Sequence, residues 1–121
     1  MKILIVDDDV ELTKAVVATL SSVGHDVQFT NEPIEGLKLI REQNQDMIFL
    51  DLSMPELSGI DLIKDLAKDG KIKEKKIVVM TASAVNEEEL KHLVDLGVHS
   101  ILQKPVDIDA LLDKIEEIGS S

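Results

Sequence analysis

The stretch Ile48-Phe49-Leu50-Asp51-Leu52-Ser53-Met54-Pro55 decides how the rest of the chain is read. Met47 to Leu50 is too short and too uniformly apolar for an amphipathic helix, and it reads as a strand buried on both faces, as in a parallel sheet. A single carboxylate, Asp51, interrupts the run at the strand's C-terminal tip, before a loop that reaches Pro55. Open α/β sheets bind ligands in the crevice outside the carboxyl ends of their strands, so this position is a site candidate. The competing reading is an aspartate that only caps a turn.

The same pattern repeats on both sides of that strand. Lys2-Ile3-Leu4-Ile5-Val6 is a strand ending in Asp7-Asp8-Asp9, and Leu12, Val16, Leu20 and Val23 follow at helical spacing up to Gly24, a C-terminal glycine. Val27 to Thr30 form a second strand. Asn31 is expected to cap the next helix, with Pro33 in its first turn and Ile34, Leu37 and Ile40 as its apolar stripe. Beyond Asp51, Ser58-Gly59-Ile60-Asp61 has the spacing of a capping box, with Ile60, Ile63 and Leu66 inward. Lys68 to Lys76 reads as a polar loop before the strand Ile77-Val78-Val79-Met80, which ends at Thr81. Small residues Ala82 to Val85 precede Asn86, a cap, and Glu87-Glu88-Glu89 suits the positive end of a helix running to Gly97. Val98 to Leu102 form the last strand, closed by Lys104-Pro105. Asp107 caps a final helix with Ile108, Leu111, Leu112 and Ile115 inward, and Gly119-Ser120-Ser121 is a frayed tail. Five strands alternating with five helices imply a parallel sheet covered on both faces, a doubly wound α/β three-layer sandwich formed by residues 1–121 as one domain.

Composition narrows the function. With 24 acidic against 13 basic residues the net charge is -11, a field that repels phosphate backbones and anionic lipid and disfavours direct nucleic-acid binding. The absence of cysteine removes disulfides, thiolate catalysis and cysteine zinc sites. His25, His92 and His99 lack metal-ligand spacing and read as surface or partly buried residues. The apolar run after Lys2 is far shorter than the roughly 20 residues that a bilayer requires, so the expectation is a soluble, cytoplasmic protein.

Parallel strands bring Asp7 and Asp8, Asp51, Thr81 and Lys104 to one sheet edge. Converging carboxylates resist ionising together unless a cation lies between them, and a few oxygen ligands with positions left for water suit Mg²⁺. A loop carbonyl, with Ser53 the foremost candidate, can add another oxygen. Beside Mg²⁺, Asp51 can attack phosphorus in line while Lys104 offsets charge on the transferring oxygens and Thr81 hydrogen-bonds one of them. Each residue also has an ordinary reading: Asp9 as a helix cap, Asp8 in a capping box with Glu11, Thr81 as a strand end, Lys104-Pro105 as a turn. Their joint placement at successive strand ends is what chance does not explain.

The order Asp7-Asp8, Asp51-x-x-Met54-Pro55-x-x-x-Gly59, Thr81-Ala82 and Lys104-Pro105 resembles the receiver domain of two-component response regulators, the CheY-like superfamily, over essentially the whole chain. The resemblance implies strand order 2-1-3-4-5 and phosphate accepted by Asp51 from a sensor histidine kinase or phosphotransfer protein. It also implies Mg²⁺ held by Asp7, Asp8, Asp51 and the Ser53 carbonyl, Thr81 as switch hydroxyl, Lys104 as phosphate-binding lysine, and a cis Lys104-Pro105 peptide. Output to a downstream protein target would use Thr81, Lys91, His92, Asp95, His99 and Ile101. Ile101 departs from the family, where many members carry a Tyr or Phe that rotates on phosphorylation. Ser53 and Ser83 occupy positions that tune dephosphorylation in the family, and serine at both says little about lifetime.

A stand-alone receiver is the preferred expectation, since no output domain follows the fifth helix in this sequence. The alternative is a receiver module from a larger regulator or hybrid kinase. An aspartyl-phosphate phosphatase of the haloacid-dehalogenase type is disfavoured because such sites resemble Asp-x-Asp, whereas Ser53 stands two residues after Asp51. Only two aromatics and no Ser/Thr-rich phosphate loop argue against a flavin carrier.

Overall fold

The computed structural model describes residues 1–52, 59–70, 72, 75–81, 87–104 and 107–119. In chain order they form β1 (Lys2–Val6), α1 (Val10–Ser22), β2 (Asp26–Thr30), α2 (Pro33–Glu42), β3 (Met47–Asp51), α3 (Gly59–Lys68), β4 (Lys76–Thr81), α4 (Glu87–Leu96), β5 (Ser100–Gln103) and α5 (Ile108–Gly119). The strands make one parallel sheet in the order β2-β1-β3-β4-β5.

Alternation along the strands divides the core into two layers, because successive side chains point to opposite faces of a sheet. Leu4, Val6, Ile48, Leu50, Ile77 and Val79 pack with Ile40 of α2, Leu62, Ile63 and Leu66 of α3 and Leu93 of α4. Ile3, Ile5, Met47, Phe49, Val78 and Met80 pack on the other face with Val16 and Leu20 of α1 and Leu111, Ile115 and Ile118 of α5. Every residue of β3 is buried, as its unbroken apolar run requires. The three-layer arrangement expected from the sequence is the one observed.

Local expectations hold where the signal is local. Asp9 caps α1, its Oδ1 accepting the Leu12 N–H at 3.1 Å, so the reading of Asp9 as a cap holds and Asp8 does not begin the helix. Gly24 ends that helix with φ +94°, a conformation that only glycine adopts without strain. Asp107 caps α5, accepting the Ala110 N–H at 2.8 Å, and Gly119 belongs to that helix rather than to a frayed tail.

Three expectations fail for tertiary reasons. Asn31 does not cap α2: Glu32 holds the N-cap position without a side-chain bond, and the Asn31 amide is used elsewhere. Ile34 is 70% exposed, and α2 instead buries Pro33, Gly36 and Ile40. Gly36 sets that face, since a Cβ there would lie 2.7 Å from Val6 Cγ1, so its absence lets the helix sit directly on β1. Lys75, within the expected polar loop, is buried, with its Nζ donating to the Ile40 and Gln43 carbonyls and to Gln45 Oε1. These carbonyls end α2, where no intrahelical donor remains and the helix dipole favours a cation. The last strand begins at Ser100, with Val98 still tied to α4 through the Leu93 carbonyl.

The capping box at Ser58, the segment Ala82 to Asn86, Ser53, Ser83, Pro105 and the Lys104-Pro105 peptide lie outside the described residues. Among the described residues no helix is long and apolar enough to cross a membrane.

Candidate functional site

Strand register explains why two carboxylates from distant parts of the chain meet. β1 and β3 pair with Ile5 opposite Phe49 and Val6 opposite Leu50, so the next step brings Asp7 opposite Asp51. Both follow, at a spacing of two, residues that face the α1/α5 layer, and both therefore project toward the same face at the C-terminal edge. Asp8 adds a third carboxylate, and one ligand oxygen from each of Asp7, Asp8 and Asp51 lies within 4.8 Å of the others. Asp7 and Asp51 are 1% and 0% exposed, while Asp8 is exposed.

Lys104, one residue beyond β5, supplies the opposing charge. Its Nζ lies 3.0 Å from Asp51 Oδ2 and 3.4 Å from Asp7 Oδ2. The Lys104 N–H donates to the Thr81 carbonyl at 2.7 Å, which holds the residue against the end of β4. Burial works against its charge, but the hydrogen bond to Asp51 and the charges of Asp7 and Asp51 outweigh this and raise its pKa. Asp7 responds differently. Burial pushes its carboxyl up to about 6 from the ordinary 3.8; the Asp9 N–H and Lys104 pull it down, and the Asp51 charge pushes it further up. Asp7 Oδ1 accepts the Asp9 N–H at 2.9 Å, whereas its Oδ2 is buried without a hydrogen-bond partner, despite the longer approach of Lys104. A buried, under-coordinated carboxylate oxygen is costly, and it fits a small hard cation seated between these groups.

Thr81 ends β4 one residue past Met80, the residue opposite Asp51, and is 3% exposed. Strand alternation places it with Ile77 and Val79, on the side of α3 and α4. Lys91, His92, Asp95 and His99 are exposed on α4 and just before β5, and Ile101 is half-buried against the same core layer. The structure thus brings Asp7, Asp8, Asp51 and Lys104 into one constellation and places Thr81 at its border. The α4/β5 residues form a separate surface.

Two residues near the site were not legible as such. Asn31 Nδ2 donates to the Asp7 carbonyl at 2.7 Å, and Thr13 Oγ1 donates to the Asp9 carbonyl at 2.7 Å. The sequence signal at Asn31, a cap-forming residue before a helix, pointed to a local bond and concealed the bond across the sheet.

Residues 3–116 match the response regulator receiver domain family. The chain is 32% identical over 117 residues to the CpxR homolog of Haemophilus influenzae, a transcriptional regulatory protein, covering 97% of this chain and 49% of that protein. It is 29% identical over 119 residues to the chemotaxis protein CheY-3 of Vibrio cholerae, covering 98% and 91%. The receiver domain of the Francisella response regulator 1452 superposes with a TM-score of 0.85 at 28% identity, covering 98% of this chain and 96% of that one. The chain spans about half the length of several curated relatives that it matches, the CpxR homolog among them. With its fold, acidic edge and family match in agreement, the chain belongs to the response regulator receiver domain family, the signalling module of two-component systems.

Proposed function

We propose that residues 1–121 act as one cytoplasmic receiver domain in which Asp51 accepts a phosphoryl group from the phosphohistidine of a sensor histidine kinase or phosphotransfer protein. Receiver domains interact with such partners and bind Mg²⁺ at an acidic pocket. The observation that carries the reading is Asp51 itself, a fully buried carboxylate at a strand tip, grouped with Asp7 and Asp8 and touched by Lys104.

In this reading Asp7, Asp8 and Asp51 hold Mg²⁺, with the Ser53 carbonyl as a further oxygen, and Asp7 Oδ2, buried without a hydrogen bond and met by the 3.4 Å approach of Lys104, supports that choice. The ion supplies charge neutralisation on the phosphoryl oxygens. An Asp51 oxygen attacks phosphorus, an O–P bond forms, the N–P bond breaks, and the imidazole nitrogen leaves with the electron pair and is protonated by solvent. Lys104, already 3.0 Å from Asp51, offsets charge on the transferred group. This chemistry modifies only the protein itself. Thr81 then hydrogen-bonds the phosphoryl oxygen, and its position on the side of α3 and α4 links the event to Lys91, His92, Asp95, His99 and Ile101. Ile101 offers no aromatic ring to rotate, so it fills the space near Thr81 by repacking. A downstream protein, not nucleic acid or membrane, reads that surface, consistent with the net charge of -11.

Treatment with a small phosphodonor and Mg²⁺, followed by mass spectrometry, tests this. One phosphoryl adduct at Asp51, lost on chelation or in Asp51→Asn, is the expected result. Unchanged labelling in Asp51→Asn refutes the assignment.

A further inference from the structure

We propose that Asn31 is a positioning residue for the Mg²⁺ site, its side-chain amide fixing the peptide that joins Asp7 to Asp8. This deepens the reading of the acidic edge given above and rests on it.

The argument begins with the β1/β2 ladder. These strands pair in parallel up to Val6 opposite Thr30, and the Asp7 N–H continues the ladder by donating to the Thr30 carbonyl at 3.2 Å. In a regular parallel ladder the Asp7 carbonyl would then accept the N–H two residues further along β2, that of Glu32. That donor is diverted, because the chain turns into α2 at Pro33 and the Glu32 N–H instead donates to Thr30 Oγ1 at 3.2 Å. Asn31 Nδ2 takes its place, donating to the Asp7 carbonyl at 2.7 Å. Only the amide nitrogen can do so, since a carbonyl accepts and cannot donate. The same NH₂ group is 3.4 Å from Thr13 Oγ1, whose hydroxyl donates to the Asp9 carbonyl.

The consequence concerns metal binding. The Asp7 carbonyl belongs to the Asp7–Asp8 peptide, so a bond to it fixes the plane from which both carboxylates project. Asp7 is held further by the Asp9 N–H, but Asp8 is exposed and depends on this peptide for its direction. Groups that orient metal ligands from behind commonly carry about tenfold to a hundredfold in metal affinity. Asn31 is half-buried, neutral and outside the ligand set, so its effect acts through geometry rather than charge.

Mg²⁺ titration followed by backbone amide NMR tests this in wild type, Asn31→Ala and Glu35→Ala. Glu35 contacts Thr30 in the same turn, at 3.3 Å, but not Asp7, so its variant reports general loosening of that turn. The expected result is a Kd about tenfold weaker in folded Asn31→Ala and within about twofold of wild type in Glu35→Ala. Equal affinity in Asn31→Ala and wild type overturns the positioning role while leaving the site intact, and equal weakening in both variants also overturns it. Absence of Mg²⁺ shifts at Asp7 to Asp9 in wild type would instead remove the site reading, and the inference with it. Wild type supplies a readout independent of variant folding. The Asn31 side-chain NH₂ resonances should shift along the same binding curve as the Asp8 amide, and unmoved resonances overturn the proposal.

Discussion

Asp51→Asn should stabilise the metal-free protein, although Asp51 is buried and ion-paired. At an effective dielectric constant of about 20, like charges no more than 4.8 Å apart repel by at least about 3.5 kcal/mol, and the Lys104 contact at 3.0 Å attracts by about 5.5 kcal/mol. Asp51 faces two carboxylates and one ammonium; Asp8 is exposed, so water screens its share well below that figure, the three charges come close to cancelling, and the cost of removing the Asp51 charge from water decides the sign. The amide that replaces it keeps the shape and an acceptor for Lys104, which retains Asp7 as a charged partner. For 121 residues each 1 kcal/mol gained is about 4 °C in melting temperature. The gain depends on pH with a definite sign. Asp7 has a folded pKa of about 6 against an ordinary 3.8, so its contribution to stability is fully present below about 4 and is lost as pH rises through about 6. The substitution should therefore stabilise most at neutral pH, and its advantage should vanish or reverse in acid, where a protonated Asp7 no longer repels Asp51 and the Lys104 attraction outweighs what remains. Mg²⁺ acts in the opposite sense, adding about 2.7 kcal/mol to wild type at a hundredfold excess over Kd, so the advantage should shrink or reverse when it is present. Thermal unfolding by far-ultraviolet circular dichroism, with chelator or Mg²⁺, at both pH values, measures all four cases. A lower melting temperature for Asp51→Asn in chelator at neutral pH would refute the electrostatic argument.

Other outcomes follow from single contacts. Apparent Mg²⁺ affinity should weaken by about tenfold per pH unit below about 6, because the Asp7 proton must leave before the oxygen can bind; a flat profile in calorimetry from neutral pH to pH 5 would exclude Asp7 as a ligand. Lys75→Met should cost about 2 to 4 kcal/mol in chemical denaturation, since it strands the Ile40 and Gln43 carbonyls that end α2, and a loss under about 1 kcal/mol would show that water replaces the ammonium. Gly36→Ala should destabilise by about 1 to 3 kcal/mol despite the better helix propensity of alanine, because the added Cβ meets Val6 at 2.7 Å; a more stable variant would mean that α2 shifts freely. Thr81→Ala should still be phosphorylated yet lose most of the amide shifts that a beryllofluoride phosphate mimic produces from Ala84 to Ile101, and normal distal shifts would place the coupling elsewhere.

What the sequence determined by itself is whatever depends on short-range periodicity. The apolar runs at β1, β3 and β4, each too short for a helix and ended by a polar residue, specified strands buried on both faces. The spacing of Val16 and Leu20, or of Leu111 and Ile115, specified helices covering them. A parallel sheet then had to gather Asp7, Asp8, Asp51, Thr81 and Lys104 at one edge, since every strand of such a sheet ends on the same side. Tertiary structure decided the pairings across that edge. Asp7 meets Asp51 because β1 and β3 pair with Ile5 opposite Phe49, and a slip of one residue would turn the two carboxylates to opposite faces. Asn31 illustrates the limit most clearly: its side chain is suited equally to a cap and to a cross-strand bond, and the diversion of the Glu32 N–H to Thr30 leaves the Asp7 carbonyl open to it. Lys75 and Gly36 were hidden for the same reason, because a lysine in a polar run and a glycine in a helix acquire their roles from partners that are remote in the chain, the end of α2 for one and Val6 for the other.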